Sequence, residues 1–121
     1  MYGYIEHDER LNECGVAIKS KNDYEEIDLL KGIPHKKGEE LIIKLVETPD
    51  GHYLIGVSAC DSNEGMGFAP SISGVAYASR ENAIYAAADH IKRFIACNAR
   101  YMDIVSNLKK AAREEEQLEL F

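Results

Sequence analysis

The sequence predicts a small α+β protein: a short antiparallel sheet with a central β-hairpin, covered by a long C-terminal helix. Two observations carry this. "ELIIKLVETPDGHYLIGVSAC" holds two β-rich runs, about 41–47 and 53–59, on either side of Pro49-Asp50-Gly51, where proline fixes φ and glycine accepts positive φ. From Ser79 onward no proline or glycine interrupts the chain, and apolar side chains return at helical spacing over about 80–114. A length of 121 residues, 45% of them hydrophobic and 29% charged, fits one domain with a single modest core.

In chain order, "YGYIEH" and "CGVAIKS" carry short strand-like alternation, with polar "DERLNE" between them. "NDYEEIDLLKG" predicts a short helix. Asn22 or Asp23 caps it, acids fill its first turn, and Gly32 followed by Pro34 stops it. In the hairpin, alternation puts Ile43, Leu45, Tyr53, Ile55 and Val57 on inner positions, although "LIIKLV" is too uniformly apolar to fix the face. Residues 61–75 are rich in glycine and serine and read as a loop long enough to be functional; "GVAY" within this region and just beyond it is a candidate third strand. Ser79 caps the closing helix, and Glu81 in its first turn suits the helix dipole.

That closing segment is either one helix of about 35 residues or two broken near Cys97-Asn98. At 1.5 Å per residue an unbroken helix spans about 50 Å. This exceeds the width of a domain of this size, so its second half would project unless it bends. The expected organisation is an α+β domain over 1–97, a helical extension over 98–113, and an acidic leash with a binding peptide over 114–121. Apolar positions follow a 4-3 spacing, with Ile91, Asn98, Val105 and Ala112 in one row and Ala87, Phe94, Tyr101 and Leu108 in the other. A lone Asn in such a row is a device for fixing two-stranded register. A homodimer through residues 98–113 is therefore one expectation, and an amphipathic extension of a sheet-covering helix is the other.

Charge and cysteine usage narrow the function. The net charge of −7 disfavours broad docking on a phosphate backbone or an anionic membrane. No run approaches the roughly 18 apolar residues of a membrane span, and the start "MYGYIEHDER" has no secretory pattern. Three cysteines, Cys14, Cys60 and Cys97, lack CxxC spacing, which fits reduced thiols in a cytoplasm rather than a disulfide framework. His7, His35, His52 and His90 have no partner at metal-ligating spacing such as HExxH. Cys60, before Asp61, suits a buried inert thiol better than a nucleophile. Gly65-x-Gly67 lacks the Gly-Lys-Ser/Thr ending of a phosphate-binding loop. No catalytic residue, cofactor or metal site is expected.

The chain ends "EEEQLELF". Gln117, Leu118, Leu120 and Phe121 follow three glutamates, and Glu119 lies among them. Leu and Phe are apolar anchors that a preformed groove can bury, worth roughly 3–6 kcal/mol together before ordering costs. Gln offers a bidentate amide at the rim, and the acids keep the peptide solvated. Gln117-Leu118-Glu119-Leu120-Phe121 resembles the motif Gln-Leu-Ser/Asp-Leu-Phe by which bacterial replication and repair proteins dock on the DNA polymerase sliding clamp. Four positions match, and Glu119 is acidic but longer than the usual residue. Four identities at one set place arise by chance roughly once in 10⁴ to 10⁵. The resemblance covers five residues and implies a non-enzymatic accessory or regulatory protein that occupies the clamp groove, in a bacterial or phage setting. The competing expectation is that these apolar residues pack on the domain or on a second copy.

Two other readings stay open on sequence grounds. The order helix, hairpin, short strand, helix is similar in shape to the double-stranded-RNA-binding fold, yet Arg80, Glu81 and Asn82 stand where that family's closing helix opens with lysines. Nucleic-acid binding would use a basic face from Lys92, Arg93, Arg100, Lys109, Lys110 and Arg113. Alternatively, the eight acids among residues 1–34, against four bases, suit an acidic imitation of DNA.

Overall fold

The hairpin forms around its predicted turn. In the computed structural model, which describes residues 2–61, 65–94 and 98–119 but not the side chains of Phe94 and residues 115–119, β2 (Glu40–Glu47) and β3 (Tyr53–Cys60) pair antiparallel from Glu40–Cys60 to Glu47–Tyr53. Gly51 has φ +85°, and the Thr48 amide donates to the His52 carbonyl at 2.8 Å. Asp50 braces the turn by accepting from the Thr48 hydroxyl and facing His52 Nδ1 at 3.0 Å. Two further strands complete a sheet in the order β1-β2-β3-β4, with β1 at Asp23–Asp28 and β4 at Gly65–Phe68.

The sheet is buried on both faces, which explains why its central strands are too apolar to reveal an inner side. Leu41, Ile43, Leu45, Ile55, Val57 and Ala59 point to the helices and belong to the larger core cluster, against which Tyr53 also packs. Val46 and Leu54 point the other way and are covered by Tyr4 and Ala17, with Tyr2, Leu11, Tyr24 and Ile72 at the margin. The segment after β4 crosses that second face close to Gly56. A Cβ there would meet Pro70 Cδ at 2.6 Å and the Phe68 carbonyl at 2.8 Å, so only glycine lets the layers approach.

The helix expected at "NDYEEIDLLKG" is instead β1. All six residues from Asp23 to Asp28 pair with the run from Glu47 back to Ile42. Tyr24 packs in the second-face cluster and Ile27 against the helix-face cluster. The local cap and acid signals lose to a partner strand that needs covering on both faces. Asn22 does not cap; its amide donates to the carbonyls of Arg10 and Ile18, each at 2.8 Å, and its oxygen accepts from Tyr4.

Within the 61–75 region, expected as a loop, Gly65–Phe68 form β4, which pairs with Val57–Cys60. "GVAY" contributes no strand; Tyr77 makes an isolated bridge to Tyr53, with both amides donating at 2.8 Å.

The closing segment divides into α1 (Arg80–Phe94) and α2 (Ala99–Glu119). Ser79 caps α1 as predicted, its hydroxyl oxygen accepting from the Asn82 amide at 3.1 Å. Ala83, Ile84, Ala87, Ala88 and Ile91 are buried, and the alanines let α1 lie close to the sheet. The second half does not project as an extension: α2 packs against α1, and Tyr101, Val105 and Ala112 join the same core.

Candidate interaction site

The C-terminal peptide is carried by α2, so its setting depends on how α2 is fixed. Asn98 begins the helix: its side-chain oxygen accepts from the Tyr101 amide at 3.1 Å, and its amide reaches Asp61 at 3.3 Å. This Asn is an N-cap. It is not a register residue in a helical seam. Tyr101, fully buried, donates its hydroxyl to the Cys60 carbonyl at 2.7 Å. Burial, assisted by Glu39 and Asp61, pushes its phenol pKa up to about 12.

Farther along, Lys109 pairs with Asp89 and lies 4.2 Å from the centre of the Tyr85 ring. Arg113 lies 5.6 Å from the same ring. Hydrogen bonding to Asp89 raises the Lys109 pKa. Tyr85 and Asp89 on α1 thus clasp α2 up to its Arg113 turn.

Beyond Arg113 the character changes. Ala112 is buried, while Arg113 and Glu114 are exposed. Helical backbone continues to Glu119, so the acidic lead expected as a leash has a helical backbone. Gln117, Leu118 and Glu119 sit in its last turn by backbone position, and Leu120 and Phe121 lie outside the described residues. The peptide therefore starts five positions after the last residue known to be buried, roughly 7–8 Å farther along the helix axis.

About half of the residues of the other readings are committed to internal contacts. Of the basic set, Arg100 donates to the Pro34 carbonyl and pairs with Glu39, while Lys109 and Arg113 hold Tyr85 as described. Among the N-terminal acids, Asp8 forms a two-pronged pair with Arg10 at 2.9 and 2.7 Å and accepts from the amides of Ile5 and Arg10. Those bonds hold its carboxyl far below the usual carboxylate range. Glu25 pairs with Arg80 at 3.0 and 2.7 Å, which lowers its pKa, and Glu26 pairs with Lys19 at 2.7 Å. Asp28 accepts from the Leu30 amide at 3.1 Å.

Helix-seam positions Ala87, Ile91, Tyr101, Val105 and Ala112 are buried within the chain itself. Cys60 is half-buried and Cys14 exposed, both as free thiols. Among the described residues, no group of three or more His, Cys, Asp and Glu side chains could hold a metal ion, and no helix is long and apolar enough to cross a membrane.

One feature of the surface was not foreseen from sequence. A cavity of about 680 Å³ opens beside β4, lined by Met66, Phe68, Val75, Tyr77 and His90 among others. Phe68 meets His90 edge-on with centroids 5.2 Å apart, and Val75 is 66% exposed. The signal available in sequence was a run of uncharged residues from Gly65 to Ser79.

Compared with known proteins, the chain matches no family model, no curated protein and no solved structure. The order of elements also departs from that of the double-stranded-RNA-binding shape, because only a three-residue 3₁₀ turn, Lys19–Lys21, precedes the first strand and a second helix follows α1.

Proposed function

We propose that this is a non-enzymatic accessory or regulatory protein that docks on a bacterial or phage replication sliding clamp through Gln117, Leu118, Glu119, Leu120 and Phe121. By occupying the groove that polymerases and repair factors use, it would compete with them without chemistry of its own, in the cytoplasm. The observation that carries the reading is the match of Gln117, Leu118, Leu120 and Phe121 to the clamp-binding pattern. It gains support from the position of the peptide past the clasp of Tyr85, Lys109 and Arg113 and past buried Ala112. The internal pairing of Arg100, Lys109, Asp8, Glu25 and Glu26 leaves less charge for the nucleic-acid and DNA-imitation readings.

Direct binding to a purified bacterial sliding clamp tests this. The full chain should bind with an affinity on the order of micromolar, as suits a short peptide with two apolar anchors. The double variant Leu120→Ala, Phe121→Ala should bind about 30-fold more weakly or worse, equivalent to losing about 2 kcal/mol at an interface hot spot. Equal binding by both proteins, or none by the parent, would refute the proposal.

A further inference from the structure

The two edges of the sheet are treated in opposite ways. The β1 edge carries Asp23, Glu25, Glu26 and Asp28, all exposed. Even with Glu25 and Glu26 held in ion pairs with Arg80 and Lys19, an edge so crowded with charged side chains is costly for another strand to cover, a recognised protection of sheet edges. The β4 edge is four residues long and carries no charged side chain. Its outer side pairs with no strand among the described residues, and the sheet stops there. Residues 65–79 contain no charged side chain, in a chain whose overall charged fraction is 29%.

We infer that β4 is a self-association edge, pairing antiparallel with β4 of a second copy and joining the two four-stranded sheets into one. A copy of this chain is the occupant that the charge pattern selects. At a two-fold contact each residue near the axis approaches its own counterpart, so any charge there meets its like. For a protein of net charge −7, the uncharged 65–79 surface is where two copies can meet at least electrostatic cost.

The pleat restricts the register. Phe68 pairs with Val57 and Met66 with Ala59, which places both side chains on the helix face, while Gly65 and Gly67 lie on the other. A two-fold axis normal to the sheet keeps the helices of both copies on one side, so directly opposed residues must share a face. Centring that axis on Gly67 sets each Met66 across from Phe68 of the second copy. This gives a sulfur–aromatic and apolar cross-strand pair on each side of the axis. The same contact brings together the cavities flanked by Phe68, Val75 and His90, covering apolar surface that is open in the single chain.

The test is solution mass across a dilution series of the full chain, combined with amide hydrogen exchange. The parent should approach twice 13.5 kDa on concentration, and the amides of Gly65–Phe68 should become protected in the same range. Phe68→Lys and Val75→Asp should each hold the protein at single-chain mass with an unchanged far-UV circular dichroism spectrum. Val75 is exposed and lies outside the buried core, so its replacement removes no core packing. Lys110→Glu, on exposed α2 surface, should dimerise like the parent. A parent that stays at single-chain mass throughout would overturn the inference and leave the edge to an extended strand of another protein. So would a dimer that survives both β4-side variants, or one abolished by Lys110→Glu.

Discussion

Tyr101 joins burial to a polar duty. Its ring is enclosed by the helix-face core while its hydroxyl serves the carbonyl at the end of β3. Tyr101→Phe keeps the packing and removes the donor, so unfolding free energy should fall by about 1 kcal/mol in urea titrations. The raised phenol pKa adds a pH signature. The unfolded chain loses this proton near its ordinary pKa of about 10, and the folded chain holds it to about 12. The phenol's stabilising contribution is therefore complete below about pH 10 and is lost as pH rises through about 12. Melting temperature should drop over that window in the parent and drop less in Tyr101→Phe.

Asp8 acts at the opposite end of the scale. Its depressed pKa stabilises the fold above the usual carboxylate range, and this contribution disappears as acid protonates the group. Asp8→Asn should lower the melting temperature at neutral pH and flatten its decline on acidification. Neither role could be read from sequence, because a lone Tyr in a helix and an Asp two residues before an Arg are common. What distinguishes them is a carbonyl from a distant strand end and a two-pronged geometry.

At the scale of elements, strong local chemistry was readable and competition between elements was not. The 48–52 turn and the Ser79 cap each rest on a side chain or dihedral that acts within five residues, and both form as predicted. β1 was misjudged because its acids and Asn22 satisfy helix-start rules, while the deciding factor is the exposed flank of β2, far along the chain. Gly65–Phe68 was hidden for a related reason: two glycines in four residues weaken any strand signal, and β4 exists through its pairing with β3.

The 4-3 spacing of the closing segment was real, but it reports two helices packed in one core. Asn98 marks the boundary. Asn98→Ala should cost about 1 kcal/mol in equilibrium unfolding, the usual loss for an N-cap. A seam residue removed from a helical dimer would instead change the mass of the particle.

For the whole molecule, the sheet is sandwiched between two helices and an N-terminal layer of turns. The candidate clamp-binding peptide follows the clasped part of α2 in sequence, and β4 is the last strand of the sheet. The fold class was legible because a small α+β domain follows from a hairpin and a helical run. The candidate site was legible because a linear motif is read from side-chain order and needs no tertiary partner. The β4 edge needed the sheet order before its missing charges acquired meaning. A dimer joined there would carry two peptides, and on a ring with repeated grooves the second would bind at a raised effective concentration if the geometry spans them.

The claim that the peptide is the docking element is tested most directly by an isotope-labelled NMR titration of the full chain with purified sliding clamp. The account predicts that signals of Gln117–Phe121 shift or broaden first and most strongly, with those of the sheet following only through slower tumbling. Perturbation centred on the sheet or the N-terminal layer, with the last five residues unaffected, would contradict it.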